Sequence, residues 1–289
     1  SAMACRQDGM QPLTRDIADY PEGLVLPVDK PWRWTSADVI RKVKFAAIRH
    51  FRKKNLKVGH AGTLDPLATG VLLVCIGAAC KRAQELQDHD KEYIARIRFG
   101  ATTPSYDLEK EVDRMFPCGH ITEEAVRAAL PAFLGVQEQV APLFSAKSVD
   151  GVRAYEMARK LYRDRQKGLS APDFDAAALE TLHRSSITIS ELELLDFDTQ
   201  TVIPGGAKES MTGTASSRIH VADTSALGLP EARIRIVCSK GTYIRAFARD
   251  LGEALGTGAH LGGLVRSRTG DYRVEEAFSL EEVLAALDS

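Results

Sequence analysis

The sequence lacks several features that would each assign it to a familiar class of protein. No apolar run approaches the roughly 18 residues that span a membrane, and no signal peptide precedes the first motif. The five cysteines contain no CxxC pair, so we expect no metal site. Cys75 and Cys238 fall in predicted strands, which favours buried free thiols in a reducing cytoplasm. No internal repeat is visible. We therefore expect a cytoplasmic protein with no membrane partner.

The remaining composition is that of an ordinary globular protein. Hydrophobic residues make up 44% and charged residues 27% of the 289 residues, enough for a substantial core in one large domain or two small ones. Residues 1–20 carry little periodicity, so we expect them to form a disordered tail. Its first residues, Ser1-Ala2-Met3, are typical of an expression scar.

One carboxylate is distinguished by the residues around it. Asp65 lies in the run Gly59-His60-Ala61-Gly62-Thr63-Leu64-Asp65-Pro66-Leu67-Ala68-Thr69-Gly70, directly before an apolar segment at residues 71–76. Glycine permits tight or left-handed backbone, and proline fixes φ and disfavours helix at the preceding residue. Such a loop can hold one acid at a fixed point beside a rigid strand. Composition alone favours an ordinary Asp-Pro turn, and the wider set of motifs changes that interpretation.

Positive charge is concentrated in one segment, although the net charge of the chain is only −1. Residues 41–57 contain no acid and eight cations: Arg41, Lys42, Lys44, Arg49, Arg52, Lys53, Lys54 and Lys57. Ser36 is expected to cap a helix that begins this segment. The residues expected on the inner face of that helix are Val39, Ile40, Val43 and Ala47. A solvated helix face is one interpretation of such a run, and its place beside the Asp65 loop favours contact with phosphates.

The order of predicted elements is irregular. Strands are predicted at residues 24–28, 71–76, 93–99, 187–195 and 234–238. Helices are predicted at residues 36–51, 79–87, 122–134, 152–163, 242–255 and 280–287. A parallel α/β protein would alternate strand and helix regularly. The pattern therefore favours an α+β fold with a mostly antiparallel sheet.

Further motifs accompany the Asp65 run. The N-terminal ones are Val28-Asp29-Lys30-Pro31 with Thr35-Ser36, and Asp90-Lys91-Glu92-Tyr93. The middle one is Phe144-Ser145-Ala146-Lys147 with Gly151 and Ala154-Tyr155-Glu156-Met157-Ala158-Arg159. The C-terminal ones are Ser239-Lys240-Gly241-Thr242-Tyr243-Ile244-Arg245, and Gly258-Ala259-His260 with Leu264-Val265-Arg266. In this order the motifs resemble those of the TruB-type tRNA pseudouridine synthases, from about residue 24 to residue 280.

The resemblance implies a fold, a reaction and a set of roles. The implied fold is the pseudouridine synthase fold, a mixed and mostly antiparallel central sheet flanked by helices, with the active site in a cleft across it. The implied reaction converts the T-loop uridine of tRNA, uridine-55, to pseudouridine, with the T-arm as partner and no cofactor. The implied catalytic residues are Asp65 as nucleophile, Tyr93 as stacking residue and acceptor of the C2′ proton, and Arg245 as ion-pair partner of the nucleophile. The implied substrate-binding residues are His60, Tyr243, Leu264 and Lys30. From the basic segment, Lys53, Lys54 and Lys57 are the candidates for contact with the RNA backbone.

The chemistry of this reaction explains the residue types. Pseudouridine formation breaks the C1′–N1 bond, turns the uracil and rejoins it through C5 without redox change, so no cofactor is required. A carboxylate can attack carbon covalently, as in retaining glycosidases. A base that is flipped out of an RNA fold is held by stacking and by contacts to its edges. Structural alternatives are a strand-core tyrosine for Tyr93 and a backbone-bonding loop histidine for His60. For Arg249 we prefer a surface ion pair with Asp250 or Glu253.

The chain departs from the family in length. The connections at residues 163–184 and 199–229 are longer than in the family, and the second is rich in Gly, Ser and Thr. Only residues 267–289 follow Arg266, fewer than the ~50 of an independent domain, so we expect no C-terminal PUA domain. We therefore expect a single catalytic domain over residues 21–289.

One departure lies close to the predicted site. Arg33-Trp34 stands where a glycine usually precedes Thr-Ser in the family, which places a large side chain at the turn. The conformation of this turn is therefore a question for the structure.

Other functions fit parts of the pattern. The catalytic motifs do not encode the target, so a synthase for a different RNA is one alternative. An RNA-binding or RNA-folding protein with secondary catalysis is another, against which a nucleophilic acid argues. A glycoside hydrolase needs a second catalytic acid, and the Asp65 loop supplies none. We expect a monomer.

Overall fold

The structure, a computed structural model, describes residues 9–142, 144, 184–200 and 218–288. The middle motif beyond Phe144, the helix predicted at residues 152–163 and most of both long connections lie outside these residues. The chain divides into two compact units. The first consists of Ser1–Ile94, Gly206–Ile219 and Leu264–Ser289, and the second of Ala95–Gly205 and His220–Gly263. The expectation of one domain over residues 21–289 stays a prediction.

The elements of the described residues are as follows. The strands are β1 (Leu24–Lys30), β2 (Val58–His60), β3 (Ala68–Ile76), β4 (Lys91–Phe99), β5 (Ala101–Thr102), β6 (Arg114–Met115), β7 (Gly135–Val140), β8 (Arg184–Asp198), β9 (Glu231–Cys238), β10 (Ala259–Thr269), β11 (Tyr272–Arg273) and β12 (Phe278–Ser279). The α-helices are α1 (Ser36–Phe51), α2 (Ala83–Gln87), α3 (Glu123–Ala129), α4 (Ile244–Ala254) and α5 (Leu280–Asp288). Short 3₁₀-helices occur at Ile17–Asp19, Gly77–Arg82, Leu130–Phe133, Ser225–Leu227 and Val274–Glu276.

In the first unit the strand order is β12–β1–β3–β10, with β2 beside β3 and β11 beside β10. β1 pairs antiparallel with β3, whereas β3 and β10 are parallel and so are β1 and β12. Every residue of β3 is buried. Val71, Leu73 and Cys75 of β3 belong to one hydrophobic cluster, which makes this strand the rigid centre of the unit.

In the second unit β4, β9, β8 and β7 follow one another, and β5 and β6 form a separate antiparallel pair. The β7–β8 and β8–β9 pairings are antiparallel. The strands β4 and β10 contribute residues to both units. The sheet is thus mixed and mostly antiparallel, and the α+β prediction is confirmed. Within the described ranges, none of the helices combines the length and the apolarity required to cross a membrane.

The N-terminal segment is packed in part. Ile17–Asp19 is helical, Leu13 is buried, and His50 Nε2 of α1 donates to the carbonyl of Thr14 at 2.8 Å. The disordered tail expected for residues 1–20 therefore does not extend over this stretch, because Leu13 removes apolar surface from water there.

The N-terminus of α1 corrects one sequence expectation. Thr35, and not Ser36, is the N-cap. Its hydroxyl accepts the N–H of Asp38 at 2.9 Å while the Asp38 carboxylate accepts the N–H of Thr35 at 3.2 Å, a capping box. Such a cap contributes about 1 kcal/mol. Val39, Val43 and Ala47 are buried as predicted, and Ile40 is half-buried.

The sequence did not predict β10, and glycine is the reason. Gly262 and Gly263 lower the strand signal of this segment because glycine has little β-propensity. In the structure, a Cβ at Gly262 would lie 2.6 Å from Arg98 Nε, and a Cβ at Gly263 would lie 2.6 Å from Arg96 Nη2. The two arginine side chains of β4 occupy the space that side chains on β10 would need.

A buried polar network explains why Arg98 occupies that space. Its Nε donates to Glu231 at 3.0 Å and its Nη1 to the hydroxyl of Thr224 at 2.8 Å. His260 joins the network through Thr224 Oγ1 at 3.0 Å and the Ala101 carbonyl at 2.8 Å. Burial lowers the pKa of His260 to about 4, so its imidazole is neutral near neutral pH. The histidine of the final motif is therefore a structural member of the second unit.

Candidate active site

Asp65 lies on the loop between β2 and β3. Its carbonyl accepts the N–H of Ala68, the first residue of β3, at 3.0 Å, so its half-buried side chain stands one turn before a buried strand. Gly70 is required in β3 because its φ is 106° and a Cβ there would lie 2.2 Å from the carbonyl oxygen of Arg266 in β10. The loop is held beside a rigid strand, as the sequence predicts.

Ser36 holds the residue that precedes Asp65. Its Oγ accepts the N–H of Leu64 at 2.9 Å and lies 3.2 Å from the Leu64 carbonyl, to which it can donate. Because Ser36 is the first residue of α1, the helix and the loop are connected at this point. The serine of the Thr-Ser motif is therefore a loop support.

Lys30 holds the residue that follows Asp65. Its side chain is fully buried at the end of β1, and Nζ donates to the carbonyls of Pro31 at 2.9 Å, Trp34 at 2.6 Å and Pro66 at 3.2 Å. These three acceptors match the three N–H groups of an ammonium. Burial lowers the pKa of Lys30 to about 7, and the charge of Asp65 opposes this shift. The contacts favour support of the loop, and the assignment of Lys30 to substrate binding stays a prediction.

Arg266 holds the loop from β10. Its side chain is 2% exposed; Nη2 donates to the Gly62 carbonyl at 3.0 Å, Nη1 to the Thr63 carbonyl at 3.2 Å and Nε to the Val71 carbonyl at 2.8 Å. Arg266 belongs to the final motif, from which no role for it was predicted. Its acceptors are 195 to 204 positions away in the chain, so no local pattern reveals them.

The other predicted residues of the first unit lie on β10, β4 and β2. Leu264 pairs in register with Ala68, three residues after Asp65, and Tyr93 is almost fully buried in β4. His60 ends β2 and is half-buried. Burial, and after it the charge of Arg266, lowers the pKa of His60, which favours its neutral imidazole. The catalytic and binding roles of these residues stay predictions.

In the second unit, Tyr243 and Arg245 lie at the start of α4. Tyr243 is the N-cap residue: its backbone N–H donates to Gln139 Oε1 at 2.8 Å and its carbonyl accepts from Gln139 Nε2 at 3.1 Å. Arg245 is 2% exposed, and its Nη1 donates to the carbonyl of Ser105 at 3.1 Å. Gln139 is a buried amide on β7 that was not predicted as a site residue. It fixes the arginine motif at the N-terminus of α4.

The turn that accepts from Arg245 was not predicted either. Tyr106 has a φ of 58°, uncommon for a residue with a side chain. On either side, Ser105 Oγ donates to the carboxylate of Asp107 at 2.6 Å, and that carboxylate also accepts the N–H of Glu109 at 2.9 Å. The alternation Thr103-x-Ser105-x-Asp107 is a turn signal that could have identified this segment. Strained backbone of this kind collects at functional sites.

The ion pair expected for Arg249 is confirmed, but it is partly buried and does not lie on the surface. Arg249 Nε pairs with Asp250 at 2.9 Å, as expected. Its Nη2 also donates to the Val140 carbonyl at 2.8 Å, and its guanidinium lies 5.8 Å from the ring centroid of Tyr106. Arg249 is thus a packing residue of the second unit.

The structure shows the conformation of the turn at Arg33, where the sequence departs from the family. Its φ is 64°, in the left-handed region that glycine adopts without steric cost. Its backbone N–H donates to the Pro66 carbonyl at 3.0 Å, and its Nη2 donates to the Ile219 carbonyl at 2.7 Å. The turn therefore keeps the conformation that explains the usual glycine, although a large side chain occupies the position.

The cations of the basic segment are all exposed, on α1 and on the residues that follow it. Arg41 forms an ion pair with Asp38 at 2.9 Å, within the first turns of α1. Phe45 lies among these cations with 66% of its surface exposed, and the Arg49 guanidinium is 5.6 Å from its ring centroid. This exposed aromatic residue was not predicted as part of an RNA-binding surface.

Comparison with known proteins shows the family. The model of the TruB family pseudouridylate synthase N-terminal domain matches residues 49–168, and that of the tRNA pseudouridylate synthase B C-terminal domain matches residues 245–289. The tRNA pseudouridine synthase B of Phocaeicola vulgatus is 46% identical over 93% of this chain and 95% of its own. That of Thermus thermophilus is 42% identical over 89% of this chain and 76% of its own.

Solved structures agree at the level of the fold. A chain of an H/ACA ribonucleoprotein bound to a substrate RNA has a TM-score of 0.55 and 19% identity, covering 97% of this chain. A chain of an archaeal box H/ACA complex has a TM-score of 0.55 and 20% identity, covering 99% of this chain. This chain spans 59% and 60% of the length of those chains, respectively.

The fold and the matched domains define a pseudouridylate synthase. With identity of 46% to a curated relative over almost its whole length, the chain belongs to the TruB family. The resemblance recognised from the six motifs is confirmed.

Proposed function

We propose that the protein is a tRNA pseudouridine synthase that isomerises the T-loop uridine, uridine-55. The observation that carries this proposal is the way in which the Asp65 loop is held. Lys30 and Arg266 donate hydrogen bonds to loop carbonyls on both sides of Asp65. A loop that is only a connection between two strands does not require two buried cations on its backbone. The names of the curated relatives, tRNA pseudouridine synthase B, support tRNA as the substrate.

In the proposed reaction, a carboxylate oxygen of Asp65 bonds to C1′ of the target uridine as the C1′–N1 bond breaks. The uracil turns, and C5 then bonds to C1′ as the bond between Asp65 and C1′ breaks, which frees the carboxylate. C5 loses a proton and N1 gains one, so the product is an isomer and neither oxidant nor reductant is consumed. Dividing the exchange into a covalent and a release step lowers the barrier of each, as in other carboxylate nucleophiles. Neither a metal nor a cofactor is part of the proposal.

The remaining roles follow from the family motifs and from burial. Tyr93 stacks on the flipped uracil and accepts the C2′ proton, which it returns to C2′ before the product leaves. Tyr243 and Leu264 line the uracil pocket, and His60 contacts the target nucleotide. Tyr93 and Leu264 are largely removed from water, which suits a site that must hold a base out of its stack.

Arg245 is the proposed ion-pair partner of the nucleophile. Its burial supports this role, since a buried guanidinium requires acceptors or an opposite charge. Its bond to the Ser105 carbonyl fixes the orientation of the guanidinium. A planar fork of donors can hold a carboxylate at two points.

The exposed cations after α1 are proposed to bind the RNA backbone, with Lys53, Lys54 and Lys57 as the central residues. Phe45 adds a ring on which an unpaired base can stack, worth about 1–3 kcal/mol in other RNA-binding proteins.

We further propose that the protein acts as a monomer in the cytoplasm. Cys75, Cys80 and Cys118 are free thiols. Burial raises the pKa of Cys75 to about 11, which makes it an unreactive thiol.

Pseudouridine mapping tests the function. Total RNA from cells with and without the protein is compared, and a tRNA transcript is then treated with the purified protein. We expect one protein-dependent pseudouridine at the T-loop uridine. Modification of another RNA with an unmodified T-loop would establish the alternative synthase activity. RNA binding without any pseudouridine would establish an RNA-binding or RNA-folding protein instead.

A further inference from the structure

Arg266 connects the two ends of the Asp65 loop. Two of its acceptors, the carbonyls of Gly62 and Thr63, precede Asp65, and the third, the carbonyl of Val71, lies beyond it in β3. One planar guanidinium therefore sets the separation between the start of the loop and the strand into which it leads.

The backbone of Arg266 is fixed independently of its side chain. In the parallel β3–β10 pairing, Arg266 is in register with Gly70, whose missing Cβ allows the two strands to approach. The side chain thus begins from a rigid sheet and ends on the loop. Movement of the loop requires loss of bonds that are shielded from water, where an unpaired donor is costly.

Its charge also acts on the neighbouring groups. The positive charge of Arg266 contributes to the lowered pKa values of Lys30 and His60. Both of these residues flank the Asp65 loop. Arg266 therefore affects the charges around this loop and also holds its backbone.

We propose that Arg266 is a positioning residue for the isomerisation, which holds Asp65 at the distance and angle required for attack without contacting the RNA. The inference rests on the proposed role of Asp65 as nucleophile. A misplacement of a reacting group by about 1 Å can lower a rate about 100-fold, so the loop framework has a direct kinetic consequence.

Arg266→Lys is the test, with Arg268→Lys as the matched control. Lysine keeps the charge but loses the planar fork that reaches three carbonyls. Arg268 lies two residues further along β10 and donates instead to the Gly270 carbonyl at 2.8 Å. Single-turnover rates at saturating tRNA and RNA dissociation constants are measured for both variants. We expect Arg266→Lys to lower the rate about 10–100-fold with an unchanged dissociation constant, and Arg268→Lys to leave both unchanged.

Hydrogen exchange provides a reading that does not depend on the reaction. Peptides that cover residues 58–70 should exchange faster in Arg266→Lys than in the wild type, while peptides from the second unit should not change. Wild-type exchange in this loop, a wild-type rate at saturation, or a loss confined to RNA affinity would each overturn the proposal.

If the Arg266→Lys variant does not fold, a second variant tests the proposal. Arg266→Ala is refolded with millimolar guanidinium, which can occupy the vacated volume and bond to the same carbonyls. Recovery of loop protection supports the positioning role, and its absence in a folded variant contradicts it. Lack of pseudouridine with the wild-type protein would refute the proposed function, and the exchange results would still decide the role of Arg266 in the loop.

Discussion

Lys30 Nζ lies 3.2 Å from the carbonyl oxygen of Pro66, the residue directly after Asp65. The same ammonium donates to the carbonyls of Pro31 and Trp34, so one buried cation connects the end of β1, the turn before α1 and the Asp65 loop. Arg266 makes the corresponding connection from β10. The loop is therefore held through its backbone on both sides of Asp65.

Asp65→Asn should abolish isomerisation and preserve RNA binding. The amide keeps the size of the side chain but removes the anion that attacks carbon. Single-turnover assays and filter binding measure the two properties. Asp271→Asn, the same change at an exposed turn, is the control and should behave as the wild type. Substantial turnover by Asp65→Asn would refute the assignment of the nucleophile.

Arg245→Lys should lower the rate about 100-fold without unfolding the protein, because lysine keeps the charge but lacks a planar fork. Thermal unfolding and single-turnover kinetics check the two parts of this prediction. Arg249→Lys, one turn later in α4, should have a much smaller effect, since Arg249 pairs with Asp250. Equal rates for Arg245→Lys and the wild type would show that the fork is dispensable.

Reversal of Lys53, Lys54 and Lys57 to Glu should weaken RNA binding similarly for all sequences. The slope of log K against log[salt] should decrease by about 0.7–0.9 for each phosphate that the variant no longer neutralises. Single-turnover chemistry at saturating RNA should be nearly unchanged, because none of the three belongs to a catalytic motif.

The control for the basic segment reverses Arg127, Arg184 and Arg233 to Glu, since these arginines are exposed but already paired with carboxylates. Both triple variants change the net charge equally. If they weaken RNA binding to the same extent, or if the lysine variant keeps its affinity and salt slope, the segment is a solvated face.

The reaction should slow as pH rises through about 7, where Lys30 loses its proton. A neutral amine has two N–H groups for three carbonyls, and the positive charge near Asp65 is lost, so the loop loosens on the alkaline side. The other charges that act on Lys30 are Arg266, Asp29 and Asp38. Lys30→Arg remains protonated, so the alkaline decrease should be absent from its pH–rate profile. A profile of the same shape in both proteins would contradict this prediction.

Arg33→Gly should be more stable than Arg33→Ala by about 0.5–1 kcal/mol. Left-handed backbone costs a residue with a Cβ about 1–2 kcal/mol, and the greater freedom of glycine in the unfolded chain offsets part of that difference. Both variants lose the bond to Ile219, so their difference reports the backbone alone. Urea unfolding measures it, and equal stabilities would show that the turn relaxes.

The sequence by itself determined the family, the Asp65 loop and most of the regular elements. Periodicity predicted α1 and the strand at residues 93–99, since helix and strand patterns are local properties of the chain. The predicted inner face of α1 also implied that the basic residues after Ser36 would lie on its exposed side. It missed β10, whose glycines reflect arginine side chains of another strand.

Only the tertiary structure decided how the loop is held. Ser36 was predicted to cap the helix but bonds to Leu64. Lys30 was predicted to bind the substrate and Arg266 had no predicted role, but both are buried and donate to backbone carbonyls. A buried donor is satisfied by whatever acceptor the packed chain brings to it, and for Arg266 the acceptor at Gly62 lies 204 positions away. Motifs record that a residue type is needed at a position; which atoms it bonds depends on contacts that form only when distant strands pair.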